Sequence, residues 1–362
     1  MNKPDFIVNG CSVWIGSLLE TFSAWLQENR AEYSNEFWII DSNAHAAWRE
    51  TVEAFASGKP HYTVGALNAY VPGRNEVYKS LVTCEDIWGA MLAAGLDRKA
   101  LAVLFGGGVV GDMGGFCAAT YKRGIDFIFI PTTLLSMTDA AIGGKVGLDF
   151  MGVKNALGVF CQPKAVFVDP VFLQTLPLRE WRSGMAEVVK HAYIGSPELL
   201  HHLCEGKFIR GIQTHTQEEW MRLLRASIAV KARIVNEDPF EEGLRTVLNF
   251  GHTFGHGIES YFLSIGHPIT HGEAVAIGLL CEMEAPSEAD IALLRPLLPP
   301  TALSEVIWPF VWTFMRQDKK NIDRRVTLAI PGDQPFSVRK IPLTAIEAEQ
   351  RWQRFLHLIE AV

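Results

Sequence analysis

The stretch Leu101-Ala102-Val103-Leu104-Phe105-Gly106-Gly107-Gly108-Val109-Val110-Gly111-Asp112 decides the fold class. Apolar residues run straight into a glycine turn, and a helical pattern follows. A short apolar run closed by glycine reads as a strand buried on both faces, the habit of parallel sheets. Gly106, Gly108 and Gly111 fit G-x-G-x-x-G after a strand and before a helix. Glycines in that register let backbone N–H groups approach a pyrophosphate at a helix N-terminus. A tight strand-to-helix turn needs the same glycines, so the match alone decides little. It also departs from the usual fingerprint: it lies well inside the chain, and no acidic residue closes the next strand. The expectation is a nucleotide site on a Rossmann-like domain, but not an ordinary Rossmann arrangement.

Outward from that stretch the same alternation repeats. Phe6 to Ile15 alternates loosely like a strand, and Gly16 to Asn29 reads as a helix. Phe37-Trp38-Ile39-Ile40 is a buried strand ending in Asp41-Ser42-Asn43, and a further unit ends near Tyr70-Val71. Phe127-Ile128-Phe129-Ile130 ends in Pro131-Thr132-Thr133. Strands alternating with helices predict a parallel sheet with helices on both faces. Ligands of such sheets bind beyond the carboxyl ends of the strands, where this chain places its polar and glycine-rich turns. Asp139 to Lys145 and Lys154-Asn155-Ala156-Leu157-Gly158 set small residues around two lysines. That composition suits a close-fitting phosphate or carboxylate site, and equally a solvated loop.

From Pro177 onward strand signals fade, which places a domain boundary near Leu176: an α/β domain over 1–176 and an all-α domain over 177–362. Pro177 to Ile194 reads as a helix with Glu187, Lys190 and His191 on one face. A carboxylate flanked by Met185-Ala186 and Val188-Val189 is best explained as buried and charge-paired or metal-bound. Trp220 to Val235 is a long helix bearing Lys231, and Asp238 to Gly243 is a turn. Beyond Met283, Ser287 to Leu298, Thr301 to Met315 and Ile346 to Ile359 read as helices, and Arg325 to Ile330 as a short strand.

The second domain carries the densest chemistry, in Leu248 to Glu273, L-N-F-G-H-T-F-G-H-G-I-E-S-Y-F-L-S-I-G-H-P-I-T-H-G-E, with four of the eleven histidines. His252 and His256 stand four apart, so a helix presents them on one face, where two imidazoles can converge on a divalent ion. His271 follows across a turn containing Gly266 and Pro268. Any one of these taken alone reads more simply as a surface or hydrogen-bonded core histidine.

Composition bounds the rest. At 362 residues with 48% apolar and 20% charged content, the chain suits two ordinary globular domains and carries no disorder signature. No apolar run is long enough to span a bilayer. Met1-Asn2-Lys3-Pro4-Asp5 lacks the layout of a signal peptide, and six scattered cysteines without C-x-x-C read as reduced thiols. The expectation is a cytoplasmic protein without membrane attachment. A net charge of −7 with no basic stripe argues against a nucleic-acid partner, while leaving room for a local basic pocket.

Taken together and in order, the motifs resemble the 3-dehydroquinate synthase family of sugar phosphate cyclases. The likeness rests on G-G-G-V-V-G-D, P-T-T-L-L-S-M-T-D, G-G-K, K-N-A-L-G, G-M-A-E-V-V-K-H-A, N-F-G-H-T-F-G-H-G-I-E and H-G-E, and is dense from about Asp41 to Glu273. It implies a dehydroquinate synthase-like fold, an NAD-binding first domain, a metal-binding second domain and a homodimer. By resemblance Glu187, His252 and His271 are the ligands of one zinc or cobalt ion. His256, which spacing alone offers as a ligand, corresponds instead to a substrate-side histidine. Asp139, Lys145, Asn155, Lys190, Lys231, Arg245, Asn249 and one of Lys319 and Lys320 match substrate-binding positions. Arg123 matches an arginine that reaches the neighbouring subunit's substrate phosphate. The NAD matches are Asn43, Glu76, Lys79, Gly107, Gly108, Val109, Asp112, Thr132, Thr133, Lys145, Lys154, Phe172, Leu173, Gln174 and Thr175.

The implied substrate is a phosphorylated sugar acid, 3-deoxy-D-arabino-heptulosonate 7-phosphate. The implied reaction is transient oxidation by NAD, phosphate elimination, reduction and aldol closure to 3-dehydroquinate, a step of the shikimate pathway. Asp149, where many members carry asparagine, and Gly114-Gly115, in place of Thr-Gly, depart from the family pattern. A sister cyclase acting on another sugar phosphate, a metal-dependent polyol dehydrogenase and an inactive binding protein are the competing readings.

Overall fold

The computed structural model describes residues 3–65, 74–151, 153–206, 215–317 and 325–360. The expected strand end near Tyr70-Val71 lies outside them, as do Lys319 and Lys320. The chain divides into two compact units, Met1–Pro177 with His215–Asn236, and Leu178–Thr214 with Glu237–Val362. His215–Asn236, which the sequence placed in the second domain, therefore groups with the first unit.

In the first unit, Asn9 and Gly10 take positive φ and turn β1 (Phe6–Val8) back onto β2 (Cys11–Ile15) as an antiparallel hairpin. Helix α1 (Leu18–Asn29) follows, then β3 (Glu36–Asp41), α2 (Ser42–Ala47), α3 (Arg49–Ala56) and β4 (His61–Val64). After α4 (Leu81–Ala93) come β5 (Leu101–Gly106), α5 (Gly108–Thr120) and β6 (Asp126–Pro131). A separate hairpin, β7 (Lys145–Phe150) with β8 (Val153–Phe160), precedes β9 (Ala165–Val168). The main sheet runs β1-β2-β9-β6-β5-β3-β4 and is parallel apart from its β1–β2 edge. All six residues of β5 are buried, as a strand paired on both sides and covered on both faces requires.

The strand order reverses between β3 and β5, since β4 lies on one side of β3 and β5 on the other. Crevices for ligands open at such switch points. A Cβ on Gly106 would come within 2.8 Å of the Asp41 Cβ, so the carboxyl ends of the two strands touch there. Gly111 serves packing: its Cβ would fall 2.4 Å from the Phe129 ring, so glycine lets α5 press onto β6.

Among its described residues the second unit is helical apart from one hairpin. It contains α6 (Leu178–Gly195) and α7 (Pro197–Cys204); α8 (Gln217–Glu237) lies almost wholly in the first unit. Then follow α9 (His252–Ser264), α10 (His271–Glu282), α11 (Glu288–Leu294) and α12 (Trp308–Gln317). The hairpin β10 (Thr327–Pro331) and β11 (Val338–Pro342) precedes α13 (Ala345–Glu360). Only the first of these two strands was legible in the sequence, because β11 carries Arg339 and Lys340 on a mostly exposed edge. Leu244–Asn249 is a 3₁₀ helix that delivers the chain to α9.

Helices α9 and α10 pack on each other and α10 packs on α6. Two glycines make this approach a backbone contact. A Cβ on Gly272 would sit 2.0 Å from the Ser183 carbonyl oxygen of α6. One on Gly278 would sit 1.7 Å from the carbonyl oxygen of Gly251, which immediately precedes α9.

Candidate metal centre and dinucleotide turn

The helix packing of the second unit converges on three side chains. Glu187 projects from the middle of α6 and is fully buried. His252 is the first residue of α9 and His271 the first of α10. Both Nε2 atoms lie 3.4 Å from Glu187 Oε1, and the imidazole centroids are 5.2 Å apart. One ligand atom from each residue falls within 4.8 Å of the other two. Two imidazoles and a carboxylate form the donor set of a catalytic zinc site with a position left for water or substrate. The residues therefore fit a divalent metal.

Around this cluster the polar groups are strongly coupled. Lys190, buried one turn along α6, is ion-paired with Glu187. Burial alone would lower the His271 imidazole pKa. Hydrogen bonding to Glu187 and to Glu259, whose Oε2 lies 3.5 Å from Nδ1, outweighs it and raises the pKa to about 9. A carboxylate behind a histidine fixes its orientation and makes it a better ligand.

Spacing had offered His256 as a partner of His252. The two rings do lie close, at 5.3 Å between centroids. His256 groups with Glu259 and His271, however, while Glu187 groups with His252 and His271. A helix turn brought the pair together, but the docking of α10 and α6 decided which imidazoles meet the buried carboxylate.

The approach to α9 is built on Asp238, whose carboxylate accepts from the N–H groups of Glu242, Gly243 and Arg245. Burial works against this carboxylate, but those bonds outweigh it and hold its pKa below the ordinary range. Arg245 is buried and donates through Nη1 to the Pro239 carbonyl. Asn249 donates through Nδ2 to Glu241 Oε1 at 2.8 Å. Glu241 has a left-handed backbone, φ 65°, uncommon outside glycine. Glu241 lies inside the Asp238–Gly243 turn that the sequence predicts, but no glycine at its position announces the positive φ.

In the first unit the glycine turn closes β5 and opens α5. Gly107 is the N-cap, without a side-chain cap, and the first turn holds no acidic residue. A Cβ on Gly108 would meet only Ala140, at an ordinary 3.6 Å. This helix end suits a bound anion, and the switch-point setting suits a dinucleotide. Nearby, Asp41 caps α2 by accepting from Asn43 and Ala44 N–H groups. Thr132 N–H bonds the Gly106 carbonyl, and Thr133 Oγ1 lies 2.8 Å from Ser136 Oγ.

Lys79 is buried and donates to Asp112 Oδ2 at 2.7 Å and to Asn155 Oδ1. Burial alone would lower its pKa; the neighbouring Asp112, Glu76 and Asp149 outweigh that and raise it. Lys154 Nζ lies 3.5 Å from Glu76 Oε1, so two residues from β8 join this group. Asp149, one of the departures from the family pattern, accepts the Asn155 N–H at 2.7 Å and so holds that residue's left-handed turn, φ 49°. Lys231, on α8, donates to Asp139 Oδ1 at 2.6 Å. Lys145 is exposed at the start of β7, and Arg123 is exposed with φ 71° beyond α5. Val109 is half-buried in the first turn of α5.

Phe172 and Leu173 sit in the core, the Phe172 ring against Phe105 and Trp48, so their side chains serve packing. Gln174 is exposed, and Thr175 accepts from Trp48 Nε1 at 2.8 Å.

The profile of the 3-dehydroquinate synthase N-terminal domain matches residues 69–183, and that of the C-terminal domain matches residues 184–321. The 3-dehydroquinate synthase of Prochlorococcus marinus (strain MIT 9515) is 41% identical over 71% of this chain and 73% of its own length. The chain belongs to the 3-dehydroquinate synthase family. Among solved structures, 2-epi-5-epi-valiolone synthase from Streptomyces hygroscopicus subsp. jinggangensis 5008, with NAD+ and Zn2+ bound, superposes with a TM-score of 0.80 at 25% identity, covering 96% of this chain and 97% of that one. A 2-deoxy-scyllo-inosose synthase complexed with carbaglucose-6-phosphate, NAD+ and Co2+ gives 0.78 at 22% identity, covering 95% and 96%, and so shares the fold.

Proposed function

We propose that this 3-dehydroquinate synthase family member converts 3-deoxy-D-arabino-heptulosonate 7-phosphate to 3-dehydroquinate and phosphate, with NAD and one divalent metal, zinc or cobalt, as cofactors. The observation that carries this reading is the convergence of Glu187, His252 and His271 within a chain that matches both family domains.

In this reading Glu187, His252 and His271 hold the metal. The turn at Gly107, Gly108 and Val109, with Asn43, Glu76, Lys79, Asp112, Thr132, Thr133, Lys145, Lys154 and the segment from Phe172 to Thr175, holds NAD. When bound, NAD supplies a hydride acceptor that is restored each turnover, and the metal supplies polarisation of substrate hydroxyls. The chain's own residues bind and orient. Lys145, Lys190, Lys231 and Arg245 neutralise the substrate's carboxylate and phosphate, and Asp139, Asn155, Asn249 and His256 fix its hydroxyl-bearing chain. Arg123 reaches the substrate phosphate of a neighbouring subunit in a homodimer, and Lys319 or Lys320 adds a further cation. The departing phosphate carries much of the proton traffic, so the pocket needs no strong protein base. Residues 1–176 form the NAD-binding domain and 177–362 the metal and substrate domain, except that α8, which bears Lys231, groups with the first compact unit. The enzyme acts in the cytoplasm, as a carbon–oxygen lyase; among the described residues no helix is long and apolar enough to cross a membrane.

Substrate choice is tested by phosphate release from 3-deoxy-D-arabino-heptulosonate 7-phosphate, sedoheptulose 7-phosphate and glucose 6-phosphate, each with NAD and zinc or cobalt. Release from the first alone supports the proposal. Turnover of either of the others in its place transfers the chain to a sister cyclase.

A further inference from the structure

Of the acidic side chains around the histidine-bearing helix ends, Glu282 is the one with no part in the ligand set and no exposure to solvent. It is the last residue of α10, yet its carboxylate serves the beginning of α9. Oε2 accepts the Gly251 N–H at 2.8 Å, and Oε1 accepts those of Thr253 at 2.9 Å and Phe254 at 3.0 Å. These three donors bracket His252. The helix has no cap of its own there: Gly251 at the N-cap takes φ 81°, and no acidic residue lies in the first turn. His252 Nδ1 lies 3.2 Å from the Phe250 carbonyl, which leaves Nε2 for the cluster at Glu187.

We propose that Glu282 is a positioning residue for the metal centre, holding His252 in its coordinating pose through three backbone hydrogen bonds and a buried negative charge. The inference rests on reading Glu187, His252 and His271 as the ligands. Two physical effects support it. A helix N-terminus carries roughly half a positive charge, which opposes a dication beside its first residue, and a buried carboxylate offsets it. A ligand on the first residue of a helix is also only as fixed as the frayed end that bears it, and satisfying the orphan N–H groups removes the fraying. The end of α10 that bears the carboxylate is itself well seated. Arg351 donates to the Cys281, Glu282 and Met283 carbonyls and Arg354 to those of Cys281 and Met283, tying the end of α10 to α13.

The test uses the full chain, stripped by a chelator and titrated with Co2+ against a chromophoric competitor while the visible cobalt bands are recorded. Glu282→Gln keeps the shape, removes the charge and turns an NH2 group toward one of the N–H donors. We expect it to bind Co2+ about 10–100-fold more weakly, the range seen when partners behind a metal ligand are changed. Its cobalt bands should shift, and its NAD affinity should stay that of the wild type. Wild-type cobalt affinity and bands in Glu282→Gln, even with a lowered Tm, would assign Glu282 to stability alone and overturn the inference. Should that variant not fold, Glu282→Asp keeps the charge but withdraws it by one methylene. Shifted bands with weaker binding then support the inference, and wild-type bands overturn it. A wild-type chain that binds no cobalt would overturn the ligand reading itself, an outcome distinct from wild type and variant binding alike.

Discussion

Two helices deliver a histidine to the same cluster as their first residue, and they are held there by opposite means. Helix α10 carries its own cap. Thr270 accepts from the Glu273 N–H, Glu273 accepts from the Thr270 N–H at 2.7 Å, and Arg179 clamps the Glu273 carboxylate through two bonds of 2.6 and 2.7 Å. Helix α9 has a left-handed glycine in the capping position and borrows Glu282 from 31 residues away. A local cap is written within four residues, here T-H-G-E, and stabilises its helix before tertiary structure forms. A borrowed cap exists only once α9 and α10 have docked. Both histidines meet Glu187 only when the helices dock, but the start of α10 can form before that docking, whereas the start of α9 is capped only by it.

That contrast can be broken by substitution. The largest effect belongs to His271→Ala, which removes a proposed ligand outright. We expect loss of bound metal and of phosphate release, with NAD binding retained; a variant that keeps metal and rate would refute the ligand set.

Next come Gly278→Ala and Gly272→Ala, whose new methyl groups would meet backbone oxygens at 1.7 and 2.0 Å, where no side chain can yield. Overpacking against backbone should destabilise each variant by about 3 kcal/mol or more, measured by urea denaturation. Because Gly278 abuts the residue before His252, its substitution should also weaken cobalt binding. Normal cobalt affinity in Gly278→Ala would show that the start of α9 is not locked to α10.

A smaller effect is expected at the dinucleotide turn. Gly108 has room for a methyl and ordinary backbone angles, so Gly108→Ala should leave the apo protein within about 0.5 kcal/mol of wild type, alanine being the better helix former. NAD affinity, followed by fluorescence titration, should fall about tenfold, or 1.4 kcal/mol, if a pyrophosphate approaches that backbone. Unchanged affinity would move the cofactor elsewhere.

The smallest effect sharpens the comparison itself. Thr270→Ala removes one bond of a local cap and should lower stability by about 1 kcal/mol. The Arg179–Glu273 clamp remains, so cobalt affinity should fall less than in Glu282→Gln. The reverse order would mean that the local cap, not the borrowed one, governs the site.

The same division explains how much of the molecule is legible in its sequence. Leu101 to Gly106 is apolar throughout and closes in glycine, so strand, turn and helix follow from local preference, and the parallel sheet follows from their repetition. Glu187 stood out because a carboxylate amid Met185, Ala186, Val188 and Val189 needs a partner. The choice between His256 and His271 was not local. A helix repeat favours His256, and only the glycine-mediated docking of α10 onto α6 brings His271 to Glu187 instead. Nothing near Glu282 in the sequence reveals the three amides it caps. The grouping of α8 with the first unit is not legible for a related reason: helical periodicity states that a helix is amphipathic, not which core receives it.

The most direct measurement follows phosphate and NADH in one cuvette, with 3-deoxy-D-arabino-heptulosonate 7-phosphate, NAD and zinc or cobalt, before and after chelation. We expect phosphate release over many turnovers, no accumulation of NADH, and loss of release when the metal is withdrawn. NADH formed in step with substrate consumed, or release indifferent to chelation, would contradict a metal-dependent cyclase that returns its hydride.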